Sequence, residues 1–237
     1  MIWLALGLLG FAVADLVHRS VGPERGGQTP VAVAAGAGAA AALAGLAGMG
    51  AVEIASVGIT AFAVLAIWLV LPDNRPGWPL AWISGVLTML FAVSGSADPI
   101  GGEVEKWYAG LAFPFVHLMS VDQFVLGFAA SLFLLATANR IVRLVLEAAG
   151  TLPTAGEPRL RGGRLLGPME RIIVGAIVVG GEPAAAALVI AAKSLLRFPE
   201  IRDDAGRPDQ ITEYFLIGTF TSLLVAGVIA VLLLASG

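Results

Sequence analysis

The sequence contains no cysteine, which excludes disulfides, thiolate metal ligands and cysteine nucleophiles. Histidine is nearly as scarce. His18 and His117 are the two present, too few and too far apart for a histidine-based metal centre. Charge is sparse as well: 13% of the 237 residues are charged, against roughly 25% in ordinary soluble domains. The net charge of −3 leaves no basic footprint, so nucleic acid is not an expected partner. Catalytic signatures are also missing. There is no Gly-x-Ser-x-Gly, no His-Glu-x-x-His and no Gly-x-x-x-x-Gly-Lys-Ser/Thr, so neither a catalytic residue, a metal nor a cofactor is assigned. Lys193 and Ser194 are adjacent, but neighbours on a helix point about 100° apart, which leaves a Ser-Lys dyad poorly supported.

What is abundant is apolar sequence. Hydrophobic residues make up 58% of the chain and mean hydropathy is +0.90, the composition of a membrane protein. A membrane span needs about 20 mostly apolar residues, and six stretches qualify: 1–17, 30–52, 54–71, 79–96, 121–139 and 213–235. The expected fold is therefore all-α, a polytopic transmembrane helical bundle. Three regions follow: four N-terminal helices over 1–96, an outer interfacial loop over 97–120 and a C-terminal membrane module over 121–237. In the outer loop, Trp107 to Met119 is too short to cross and contains Pro114, which suits a segment lying on the membrane surface.

Ala12-Val13-Ala14 resembles a signal-peptidase site, yet no Lys or Arg precedes the first apolar run, while Arg19 and Arg25 follow it. That charge order predicts an uncleaved anchor with its N-terminus outside. The second span, built almost entirely of Ala and Gly, lets neighbouring backbones approach closely and is expected inside the bundle. Trp3, Trp68, Trp78 and Trp82 fall near span ends, where aromatic residues favour the interface.

The run 172–192 is the exception. It is interrupted by Gly180-Gly181-Glu182-Pro183, where two glycines suit a helix C-terminus and proline suits the first turn of a new helix. Glu182 would then lie beside the positive end of the second half-helix. If this run dips in and returns, thirteen of the fourteen Lys and Arg lie inside and Lys106 alone outside; if it crosses, the division is nine against five. The positive-inside rule thus predicts six full spans plus a re-entrant helical hairpin, with seven spans as the alternative.

The C-terminal half carries recognisable stretches. "LRGGRLLGPMERIIV", "AAKSLLRFPE" and "TEYFLIGTFTS" resemble a family of uncharacterised multi-spanning bacterial membrane proteins, a domain of unknown function, over about residues 163–222. Within that family the resemblance is to actinobacterial members, carried by "VDQFVLGFAASLFLLATANRIVRLVLEAAG". The resemblance implies an architecture and a residue set, and a bacterial cytoplasmic membrane, but no activity.

The candidate ligand-binding residues are Glu182, Glu170, Arg171, Lys193, Arg197, Glu213 and Tyr214, with Arg140, Arg143 and Arg164 as candidates for lipid or anion binding. Lys193 and Arg197 are four apart and share a helix face; Glu170 follows Pro168 near a helix start, where the dipole favours it. On the plain reading, such residues cap helices, pair and snorkel to head groups, as any bundle requires. Glu182 fits that reading worst, since a mid-span charge costs about 3 kcal/mol on insertion scales. Asp15, close to the end of its span, is a weaker case. Three functions are compatible: a small-solute or ion transporter or channel-like protein or subunit, an anionic-lipid-binding or lipid-modifying protein, and a non-catalytic accessory subunit. The expected partners are membrane lipids and, as homo-oligomer or complex, other membrane subunits.

Overall fold

The computed structural model of the chain describes residues 1–20, 28–95, 99–112, 119–151, 163–192 and 208–236. Among them there are helices and turns but no strand. The helices are α1 (Ile2–Ser20), α2 (Gln28–Leu46), α3 (Ala51–Val70), α4 (Gly77–Ser94), α5 (Gly102–Ala109), α6 (Val121–Leu135), α7 (Thr137–Ala148), α8 (Gly163–Val179), α9 (Pro183–Ala192) and α10 (Pro208–Leu234). Five of them are long and apolar enough to cross a membrane: α1, α2, α3, α4 and the Glu213–Leu234 stretch of α10. A sixth candidate is α6 with α7, which together pass the same test but bend by 44°. At about 1.5 Å per residue, the 19 residues of α1 reach close to 30 Å, the depth of a hydrocarbon core.

The helices alternate in direction, and the contacts at the two ends of the bundle show it. At one end, the Leu4 N–H donates to Ser94 Oγ (3.0 Å), the Gly101 N–H to the Ala47 carbonyl (3.3 Å), and the N-terminal amine lies 3.8 Å from Asp122. This end therefore gathers the start of α1, the close of α2, the close of α4 and the start of α6. Gly48 and Gly102, both with positive φ, let the start of α5 dock on the end of α2; a Cβ on Gly102 would stand 2.6 Å from the Gly48 nitrogen. Ser120 and Gln123 exchange two hydrogen bonds as a capping box that starts α6. Trp107 and Tyr108 of α5 pack on Phe124, and the Tyr108 hydroxyl donates to the Met119 carbonyl. The rest of the expected surface segment, 113–118, lies outside the described residues.

The interior helix is α1, which packs against α2, α3, α4, α6 and α7. Leu4, Leu8, Phe11, Ala12 and Ala14 are fully buried. The Ala/Gly helix α2 is less enclosed than its composition suggested: Val31, Gly38, Ala42 and Leu46 are exposed on its far side. Its small residues nonetheless do what small residues permit. A Cβ on Gly36 would stand 2.6 Å from the Gly10 carbonyl oxygen, 2.7 Å from Leu65 and 2.9 Å from Ala14, so α1 and α2 cross with backbones nearly touching.

The fifth expected span, 121–139, is not one straight helix. It breaks at Ala136 after 15 residues, and α7 continues at an angle as a strongly amphipathic helix that packs on α10. No proline or glycine causes the kink. The freed Leu135 carbonyl accepts from Asn139 Nδ2 (2.9 Å) and the Ala136 carbonyl from Arg19 Nη2 (2.8 Å), so polar side chains entering the hydrogen-bond ladder stabilise the bend.

The interrupted run divides where its residues predict. The Gly181 N–H bonds the Val178 carbonyl (3.1 Å) and the Glu182 N–H bonds the Ile177 carbonyl (3.1 Å), with Gly181 at φ +86°. This is a Schellman close for α8. Pro183 then opens α9, whose first turn donates from the Ala185 and Ala186 N–H groups to the Glu182 carbonyl. Near the start of the pair, Glu170 and Arg171 face Val189 and Ile190; near the turn, Val178 meets Pro183 and Ala186. The order is reversed, so α9 folds back along α8, and both lie against α10.

Candidate functional site

The polar residues of the bundle collect at the end opposite the N-terminus, where α1, α3 and α6 finish and α4 begins. Their centre is Arg140, in the first turns of α7. Its guanidinium lies 4.1 Å from the Trp68 ring centroid, within cation–π range. Nη2 donates to Asp73 Oδ1 at 2.9 Å and to the Leu71 carbonyl at 3.4 Å, while Nη1 stands 3.9 Å from Asp15 Oδ1. Asp73, in the α3–α4 turn, also accepts from Arg143.

Asp15 is 2% exposed, and its direct hydrogen bond comes from Trp68 Nε1 at 3.1 Å rather than from Arg140. At 3.9 Å the arginine contributes charge more than a bond, so the indole N–H orients the carboxylate and Arg140 neutralises it. Trp68 is itself fully buried and meets Phe11 edge-on at 5.7 Å. The buried Thr137 hydroxyl faces Asp15 without meeting full hydrogen-bond geometry. One arginine thus joins α1, α3, the α3–α4 turn and α7. Desolvating such a set is costly, and it holds only because each charge meets an opposite charge or a donor.

A second arginine stands on the other side of the kink. Arg171 of α8 is 2% exposed and donates through Nη2 to Asn139 Oδ1, while Asn139 returns its amide to the Leu135 carbonyl. The Arg171 Nε is buried with no hydrogen-bond partner. Arg19 repels Arg171 and Glu170 attracts it. A narrow crevice of about 40 Å³ is lined here by Glu170, Arg171, Val174, Val189, Ile190, Thr219, Ser222 and Leu223. Deeper, between α8, α9 and α10, a crevice of about 240 Å³ is almost wholly apolar, lined among others by Val178, Pro183, Ala186 and Ala226.

Of the residues singled out in the sequence, Arg140 and Arg143 enter the first cluster, and Glu170 and Arg171 the second. Glu182 joins neither: it is exposed at the α8–α9 turn. Glu213 and Tyr214 open the apolar part of α10 and are exposed. Lys193 and Arg197 lie outside the described residues, as does the side chain of Arg164. Asp15, Trp68 and Asp73 complete the first cluster without having been picked out as ligands of Arg140. A depth count could have found them, since Asp15, Trp68 and Arg140 each fall just before the same end of alternating helices. Among the described residues no group of three or more His, Cys, Asp or Glu could hold a metal ion. No family model, curated protein or solved structure matches the chain.

Proposed function

We propose that the protein is a multi-pass membrane protein of the small-solute or ion transporter or channel-like kind, or a subunit of one, in which α8–α9 is a re-entrant hairpin presenting Glu182 inside the bilayer. The observation that carries this reading is the depth of the turn. Val178 and Pro183 share a crevice with Ala226 and Gly227 of α10, and Gly227 lies seven residues, about 10 Å of helix, short of Leu234. A hairpin that turns back before the far end of its neighbouring span leaves its turn within the apolar layer. Broken helices of this form supply ion and substrate sites in transporters, because a half-helix N-terminus and freed backbone groups face a cavity. Glu182 caps α9, and its exposed carboxylate would need water, a cation or a partner in that layer.

Orientation follows from charge. Arg19, Arg75, Arg140, Arg143 and Arg171 all belong to the end opposite the N-terminus, which the positive-inside rule assigns to the cytoplasm of a bacterial inner membrane, with the N-terminus outside.

Two measurements test the reading. Single-cysteine variants at Ala109, Gly163 and Asp204 need no background removal, Ala109 being exposed at the end of α5; in intact spheroplasts an impermeant maleimide should label position 109 alone. Labelling at 204 before lysis would make 172–192 a full crossing. In proteoliposomes, proton, sodium and potassium flux should fall in Glu182→Gln; unchanged flux for every ion and solute tried would refute a transport role for this carboxylate.

A further inference from the structure

Among the described residues, Arg171 is a buried cation whose donors are not used up. Arg171 is 2% exposed and spends Nη2 on Asn139, but its Nε has no partner. A guanidinium carries five N–H donors, and a charged donor left desolvated and unpaired is costly. The chain puts this residue on the wall of a crevice between α8, α9 and α10 that is also lined by Thr219 and Ser222, two residues with hydroxyl donors. The crevice, about 40 Å³, has room for about two or three oxygen-sized atoms.

We propose that this crevice is an oxyanion site, taking the non-bridging oxygens of a phosphate between Arg171, Thr219 and Ser222. Arginine is suited to planar, forked recognition of phosphate, and the buried setting strengthens each charged hydrogen bond. The charge balance permits it. Arg171 has Arg19 and Glu170 as charged neighbours, while across the kink Arg140 and Arg143 are matched two for two by Asp15 and Asp73. Glu170 on the same wall disfavours a dianion and favours a singly charged phosphate diester or monobasic phosphate. Arg171 stands eight residues, about 12 Å of helix, from the start of α8 at Gly163, so a phosphate group would enter from that end of the helix, the side from which an anionic head group can be drawn in. The site is independent of Glu182, which sits at the opposite end of the α8–α9 pair.

Full-length protein in detergent is the material for the test, its thermal midpoint followed by tryptophan fluorescence against added phosphatidylglycerol, inorganic phosphate or uncharged diacylglycerol. Phosphatidylglycerol should raise the midpoint saturably and diacylglycerol should not. A matching response to inorganic phosphate identifies a free-phosphate site, and its absence identifies the lipid head group. Arg171→Gln should weaken the apparent affinity at least about tenfold, with Arg171→Lys retaining part of it. If Arg171→Gln does not fold, the double variant Thr219→Val, Ser222→Ala leaves the Arg171–Asn139 bond in place and should still weaken binding severalfold. The proposal is overturned if neither phosphate compound shifts the wild-type midpoint, or if the shifts persist undiminished in the Arg171 variants or in the double variant.

Discussion

Asp15 and Glu182 are both carboxylates set in apolar stretches of the chain, and the structure treats them oppositely. Asp15 is 2% exposed, takes an indole N–H from Trp68 at 3.1 Å, and lies 3.9 Å from Arg140. Glu182 stands exposed on a Schellman turn, its backbone engaged and its side chain without a hydrogen bond among the described residues. The contrast separates two uses of charge in an apolar chain. A carboxylate that ties helices together is caged, because an unpaired buried charge would cost more than the packing returns. A carboxylate left open at a chain reversal ties nothing together, and its retention requires another reason.

That difference can be broken or sharpened by substitution, beginning with the largest effect. Arg140→Ala leaves Asp15 buried without its counter-charge and strips Asp73 of its 2.9 Å bond; a loss of about 3–5 kcal/mol is expected, read as a collapse of the thermal midpoint in detergent. Asp15→Asn keeps an acceptor for Trp68 and should cost less. If Arg140→Ala were as stable as wild type, the cage would have no structural role and the contrast would fall.

Gly36→Val follows, because its Cβ would meet the Gly10 carbonyl oxygen at 2.6 Å. Forcing α1 and α2 apart should cost about 1–3 kcal/mol. Gly38→Ala, two residues along the same helix, has nothing within 4 Å and should leave the midpoint within about 0.5 kcal/mol of wild type. The pair distinguishes a close crossing from a general intolerance of side chains on α2.

Gly181→Ala probes the turn beside Glu182. Open space surrounds the position, but its φ of +86° disfavours any Cβ, so about 1 kcal/mol of local strain is expected. Limited proteolysis or hydrogen exchange at 177–186 should register it while the α1 core stays protected. Smallest of all is Glu182→Gln. Its stability should match wild type within about 0.5 kcal/mol, with the effect confined to flux in proteoliposomes; a large loss of stability would place Glu182 with Asp15 as a structural carboxylate.

The span positions were legible because apolar length is a local property. Five of the six candidate spans coincide with single long helices, four of them to within three residues at each end, while 30–52 runs six residues past the close of α2. The break at Gly180-Gly181-Glu182-Pro183 was equally legible, since glycine at C′ and proline at N1 satisfy backbone groups within the same few residues. The kink at Ala136 was not. Nothing between Leu135 and Thr137 disfavours a helix; Arg19, 117 positions away, donates to the Ala136 carbonyl at the bend, which also accepts from the Asn139 N–H. Nor did composition identify the central helix. The small residues of α2 marked a close crossing, yet α1 fills the core because five helices surround it.

The sequence by itself determined the apolar helices, their ends and their alternation, because burial of apolar residues and backbone hydrogen bonding act over one helix at a time. Tertiary structure alone decided which charges are spent on one another. Arg140 faces Asp15, Asp73 and Trp68 from separate helices, and such pairing depends on depth, rotation and distance between elements, which no single stretch of chain encodes.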